Sequence, residues 1–150
     1  MTVLSRSASP SDLEAAGALN NARKRVYRWF LQDGNQAVLV LARQYIETKG
    51  RVTAARLFRA TPGAGDSTVV DIHASVGGAG GATILSAAKL TITQASGANQ
   101  KVEGVLDTAF TGYEDVSIPM NRGDWLEAHL DADEGAAAAG LSIEVEFLAD

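Results

Sequence analysis

Two histidines, two tryptophans and several clustered carboxylates are the residues with which this chain of 150 could do chemistry; cysteine is absent. Without thiols there can be no disulfide scaffold, zinc ribbon, thiolate metal site or cysteine nucleophile. His73 and His129 each stand two positions from an aspartate, Asp71 and Asp131. Residues two apart project from the same face of a strand, so each couple is a His/Asp pair. Binding a metal would need a further carboxylate brought in by the fold, and the expectation is solvent-facing pairs with no metal. A Ser-His-Asp triad needs only to meet in space, but the Gly-x-Ser-x-Gly elbow that would announce one is missing.

Gly77-Gly78-Ala79-Gly80-Gly81 suggests a phosphate loop, yet no Gly-Lys-Ser/Thr follows and Thr83 stands where a third glycine would be needed. Its flanks read as strands, without the helix whose N-terminus would hold a phosphate, so a loop tip is expected. Asp131-Ala132-Asp133-Glu134-Gly135 resembles a calcium loop, but the glycine comes one position early and the closing glutamate is absent. Trp125 and Tyr113 are the residues expected to stack on a sugar or similar ligand, if one is bound. Trp29, beside Tyr27 and Arg28, belongs to a mixture of aromatic and arginine side chains typical of protein–protein contacts. Arg23, Lys24, Arg25, Arg28 and Trp29 are therefore the expected partner-binding residues. No cofactor is expected.

The elements that must position these residues follow from composition and periodicity. Of the 46% apolar residues, 26 are alanine, so the core rests on 14 Leu, 12 Val, 6 Ile and 4 Phe. Such a core is thin, and a partner surface would help to complete it. No apolar run approaches the ~20 residues of a membrane-spanning helix, and Met1–Arg6 opens no signal-peptide core. A soluble chain, without membrane contact and not exported by that route, is the expectation. The net charge of −5 is unevenly spread: residues 1–60 carry +6 and residues 61–150 carry −11. The asymmetry suggests that the two parts face different surroundings, the basic part docking on an acidic protein surface such as another copy of this chain. Nucleic acid is not an expected partner, because the acidic remainder would repel it.

Residues 1–25 read as an N-terminal arm, with a short helix suggested by Ser9-Pro10-Ser11-Asp12 and by Leu13, Ala16 and Leu19. From Val26 the period becomes two. Asp33-Gly34 between Val26–Leu31 and Ala37–Leu41 predicts a hairpin. Further strands are expected at 51–59, 68–74, 83–85, 90–93, 102–106 and 116–120. The clearest are the last two, with Leu126, Ala128, Leu130 and Ala132 on one face, then Leu141, Ile143, Val145 and Phe147. Many short strands and no long amphipathic helix predict an all-β fold, an antiparallel, jelly-roll-like β-sandwich over residues 26–150.

One resemblance adds to this. Pro62-Gly63-Ala64-Gly65 leading into Val69-Val70-Asp71-Ile72, then Ile84-Leu85-Ser86, Lys89-Leu90-Thr91-Ile92, Gly123-Asp124-Trp125-Leu126, Asp131-Ala132-Asp133 and Gly140-Leu141-Ser142-Ile143, resembles a β-sandwich domain of tailed-phage virion proteins. It covers residues 50–148. The resemblance implies a non-enzymatic part of a virion: capsid decoration or cement, head spike or fibre base, or a tail receptor-binding module. Expected partners are capsid or tail subunits and further copies of the chain, as a trimer or dimer. A carbohydrate- or receptor-binding module is the alternative, and a small hydrolase or metalloenzyme the remote third.

Overall fold

A computed structural model describes residues 23–31, 39–62, 67–78, 80–86, 88–107, 117–132 and 139–150. The expected helix in the arm lies outside them. Among the described residues, eleven strands form two antiparallel sheets. The first sheet contains β1 (Lys24–Leu31), β11 (Ala139–Ala149) and β4 (Gly50–Thr61), with β8 (Gln100–Glu103) and β9 (Ile118–Met120) on the far side of β4. In the second, β10 (Trp125–Ala132) lies between β5 (Thr68–Ser75) and the short β2 (Leu39–Val40) and β3 (Gln44–Tyr45). Two more short strands, β6 (Ala82–Thr83) and β7 (Leu90–Ile92), pair with the other edge of β5.

The pairing is nested: β1 with β11, β2 and β3 with β10, β4 with β8 and β9, β5 with β6 and β7. A long antiparallel ribbon has been wrapped so that successive strand pairs fall in opposite sheets, which is the jelly-roll arrangement. The expected sandwich is therefore present, and most strands fall where their alternation placed them.

The Asp33-Gly34 turn of the expected hairpin lies outside the described residues. Strand β1 runs beside β11, and β2 runs beside β10 in the opposite sheet. Side-chain contacts hold β1 in this place. Lys24 and Arg28 of β1 find Glu146 and Glu144 of β11, and the Trp29 indole crosses the seam between sheets to donate to the Ala42 carbonyl at 2.7 Å.

Alternation explains the core. Leu141, Ile143, Val145 and Phe147 point inward from β11, Val52, Ala55 and Leu57 from β4, and Val70, Ile72, Ala74, Leu126, Ala128 and Leu130 from the opposing sheet. Each fully buried branched or aromatic side chain contributes about 1.5–3 kcal/mol. Alanines at 55, 74 and 128 are among the buried core residues. A register shift between Glu146 and Phe147 of β11, opposite Ala54 and Val52, lets both neighbouring stretches of β4 keep their apolar residues inward. At one end of the core lies Arg59, 1% exposed, donating to the carbonyls of Thr93 (3.1 Å) and Gly97 (2.6 Å). Burial lowers its pKa from the ordinary arginine value, while these bonds pin the turn that follows β7.

Candidate functional site

The second sheet turns its polar face outward, and there the chemistry gathers. Glu127 and His129 of β10 stand opposite His73 and Asp71 of β5. This register stacks the two imidazoles, with centroids 3.9 Å apart and planes 9° from parallel. His73 Nε2 lies 3.1 Å from Asp71 Oδ2, and His129 Nε2 lies 2.7 Å from Glu127 Oε1. Of the two His/Asp couples suggested by spacing, the first therefore forms. The second is replaced: His129 takes Glu127, and Asp131 is held by Lys89 at 2.5 Å. Glutamate and aspartate flank His129 at equal spacing, and Lys89, arriving just before β7, decides between them.

Asp71 is buried instead of solvent-facing. The Ile72 amide (2.8 Å) and the Thr83 hydroxyl (2.5 Å) both donate to its Oδ1. Burial would raise the pKa of Glu127, but hydrogen bonds and positive charge from Arg43 and His129 outweigh it and hold the carboxyl below its ordinary value. Among the described residues no group of three or more His, Asp or Glu is placed to hold a metal. The 133–135 part of the calcium-like segment lies outside the described residues.

At the start of β10 the polar row ends in a cleft of about 690 Å³, lined by Arg43, Asn121, Arg122, Asp124, Trp125 and by Gly77, Gly78, Gly80 and Gly81. Trp125 is partly exposed, and the Arg43 guanidinium lies over its ring, 4.0 Å from the centroid. Glu127 fixes Arg43 in turn, accepting its Nε–H at 2.8 Å. Cation–π stacking of this kind contributes about 0.5–1 kcal/mol at an exposed site. Asp124, nearly buried, joins the two rims: its carboxylate accepts from the amides of Gly77 (3.0 Å) and Asn121 (2.8 Å). Gly81 abuts the far edge of the indole so closely that a Cβ there would overlap Trp125. The glycine loop is thus a wall for an indole, which its expected role as a simple tip did not foresee.

Trp125, singled out from the sequence, sits in this cleft; Tyr113, its expected companion, lies outside the described residues. The aromatic beside it is Tyr45, which pairs across the strand with Trp125 and is largely exposed. Arg43, Tyr45, Asn121 and Arg122 were not anticipated. The only signal was Arg43-Gln44-Tyr45, an alternating tripeptide too short to read as a strand.

The expected partner-binding residues fall on β1 and its entry. Trp29 is a correction: it is 6% exposed, with its ring in the core and its N–H spent on Ala42, so it closes the sandwich and offers no surface. Lys24 and Arg28 remain exposed, but each is paired within the chain, Lys24 with Glu146 at 2.9 Å and Arg28 with Glu144 at 2.7 Å. Arg56 extends the row, joining Glu146 at 3.0 Å and Glu103 at 3.3 Å. The acidic surface that the basic segment was expected to meet is, for these residues, the chain's own last strand. Arg23 and Arg25 are exposed near the start of β1. On the same outer face, Val26 and Phe30 are 47% and 60% exposed.

No protein-family model matches this chain, and no curated protein matches it. Among solved structures it is similar to a chain in the structure of infectious bursal disease virus, Gx strain, with 17% identity and a TM-score of 0.42 over 83% of this chain and 32% of that one. It is also similar to the Arthrobacter globiformis T6 isomalto-dextranase complexed with panose, with 15% identity and a TM-score of 0.35 over 78% of this chain and 17% of that one. The chain thus spans a minor part of the length of both.

Proposed function

We propose that this chain is a non-enzymatic structural protein of a tailed-phage virion, a capsid decoration or cement protein or the subunit of a head spike or fibre base, attached through its N-terminal region. The observation that carries this is β1. It is an eight-residue strand at the edge of its sheet, without proline, and it presents Val26 and Phe30 outward where polar residues would be expected. An edge strand with exposed apolar side chains is a liability for an isolated protein and an asset for one that docks on a neighbouring subunit. The resemblance of residues 50–148 to phage virion domains points the same way. Weak contacts of this size suffice when many copies sit on one lattice, and a dimer or trimer would multiply them further.

Fractionation of purified particles tests it. The chain should travel with heads. Removing residues 1–22, which leaves β1 whole, should give a protein that melts as the full chain does and yet is missing from particles. Phe30→Asp should lower occupancy with little change in melting. Normal occupancy of both variants would overturn attachment through this region.

A second reading, a carbohydrate- or receptor-binding module of a tail or fibre, is favoured by one feature, the cleft at Trp125.

A further inference from the structure

We infer that the Trp125 cleft binds an acidic saccharide, a sugar unit bearing a carboxylate, with Arg122 as the partner of the acid group. This rests on the second reading above and is independent of how the chain is anchored. Size comes first: about 690 Å³ is room for one or two sugar rings. The lining then sets the class. Trp125 is its one aromatic side chain and the rest is polar or glycine, so an apolar ligand would gain little there. A sugar matches it, because a pyranose offers a C–H face to an indole and hydroxyls to its surroundings. Asn121 and the exposed peptide groups of five glycines supply donors and acceptors at close range.

The sign of charge narrows it further. Asp124 is the cleft's one carboxylate, and it already accepts two backbone amides that tie the rims together. Arg43 is held by Glu127 and by the indole, so its task is to set the ring. Arg122 is different. It is exposed on the turn between β9 and β10, and among the described residues it has no ion-pair partner. In a chain of net charge −5, this places an available guanidinium beside an aromatic platform. Arginine grips a carboxylate through two parallel N–H bonds, a geometry that neutral sugars cannot reproduce.

Titration of the full chain with D-glucuronic acid and N-acetylneuraminic acid, against D-glucose and sodium acetate, is the test, read by tryptophan emission and by ligand NMR. Trp29 is buried, so a ligand-dependent change in emission reports Trp125. The acidic sugars should bind saturably and about tenfold more tightly than glucose, with acetate weaker than either acidic sugar. Arg122→Ala, on an exposed turn, should bring the acidic sugars down to the level of glucose without altering the melting temperature. Trp125→Ala should remove binding of both. If glucose binds as well as the acids and Arg122→Ala has no effect, the acid preference is wrong and carbohydrate binding survives. Absence of saturable binding by any sugar would sink both together, and an acetate response equal to that of the acidic sugars would show a bare anion site.

Discussion

Across the outer face of the first sheet, Lys24, Glu146, Arg56 and Glu103 run as a row over four strands, each charge meeting its opposite on the next. Across the outer face of the second sheet, the charges converge instead. Arg43, Glu127, His129, His73, Asp71 and Lys89 close around two stacked rings and lead to an aromatic cleft. The first pattern is spent on register. Basic β1 and β4 flank acidic β11, so a slip by one residue would turn these charges away from their partners and toward the core. The second leaves groups oriented and partly exposed, which is what a binding site requires. The split between a basic first part and an acidic remainder, which suggested two different surroundings, is in good measure self-complementary across β1, β11 and β4.

Glycines offer the sharpest way to break this contrast. Gly50, in the first sheet, faces the Leu148 carbonyl and the Phe147 ring, the latter 2.6 Å from where a Cβ would stand. Gly81, beside the second, faces the edge of a side chain that can turn. Gly50→Ala should therefore cost about 3 kcal/mol and Gly81→Ala about 1, measured by urea denaturation. Only Gly81→Ala should displace Trp125 and change its emission. Equal losses would mean that the indole is held as rigidly as backbone.

Acid should weaken both faces. Burial opposes ionisation of Glu146, but hydrogen bonds and charge from Lys24 and Arg56 prevail and lower its pKa from 4.5, as Arg43 and His129 do for Glu127. A depressed folded-state value means that the stabilisation is present above the unfolded-state pKa and is lost as pH falls through the folded one. Melting temperature should thus drop below about pH 4.5. Glu146→Gln and Glu127→Gln should each lower stability near pH 7 by about 1 kcal/mol and flatten that acid limb. An unchanged limb in either variant would show that its carboxylate carries no linkage.

The stacked histidines permit a finer test. A double-mutant cycle of His73→Ala and His129→Ala should give a coupling of about 0.5–1 kcal/mol. No coupling would mean that the rings are merely neighbours. Smallest of all, Lys24→Ala and Arg28→Ala should each change stability by about 0.3 kcal/mol, less in high salt, because both side chains are half exposed. A loss of several kilocalories at either position would overturn the view that the row sets register more than stability.

Much of this was legible in the chain itself. Period-two alternation named Leu126, Ala128 and Leu130 of β10 and the inward residues of β11 correctly, because a strand's faces follow from backbone geometry alone. A thin core followed from a wealth of alanine. Asp71 beside His73 was visible as spacing, and Trp125 stood out by type. Pairing was not. Asp33-Gly34 is a local signal and says nothing of β11, more than a hundred residues away, which β1 meets through a full register of contacts. For the same reason Trp29 looked like a surface anchor and is a core residue. The cleft was invisible because Arg43 and Gly81 meet at Trp125 only after the ribbon has wrapped. Sequence order determined which face of each strand is apolar, a matter of adjacent residues. Which strands lie side by side, and which polar groups therefore share a surface, was decided by tertiary structure, because those energies depend on distances that no local pattern encodes.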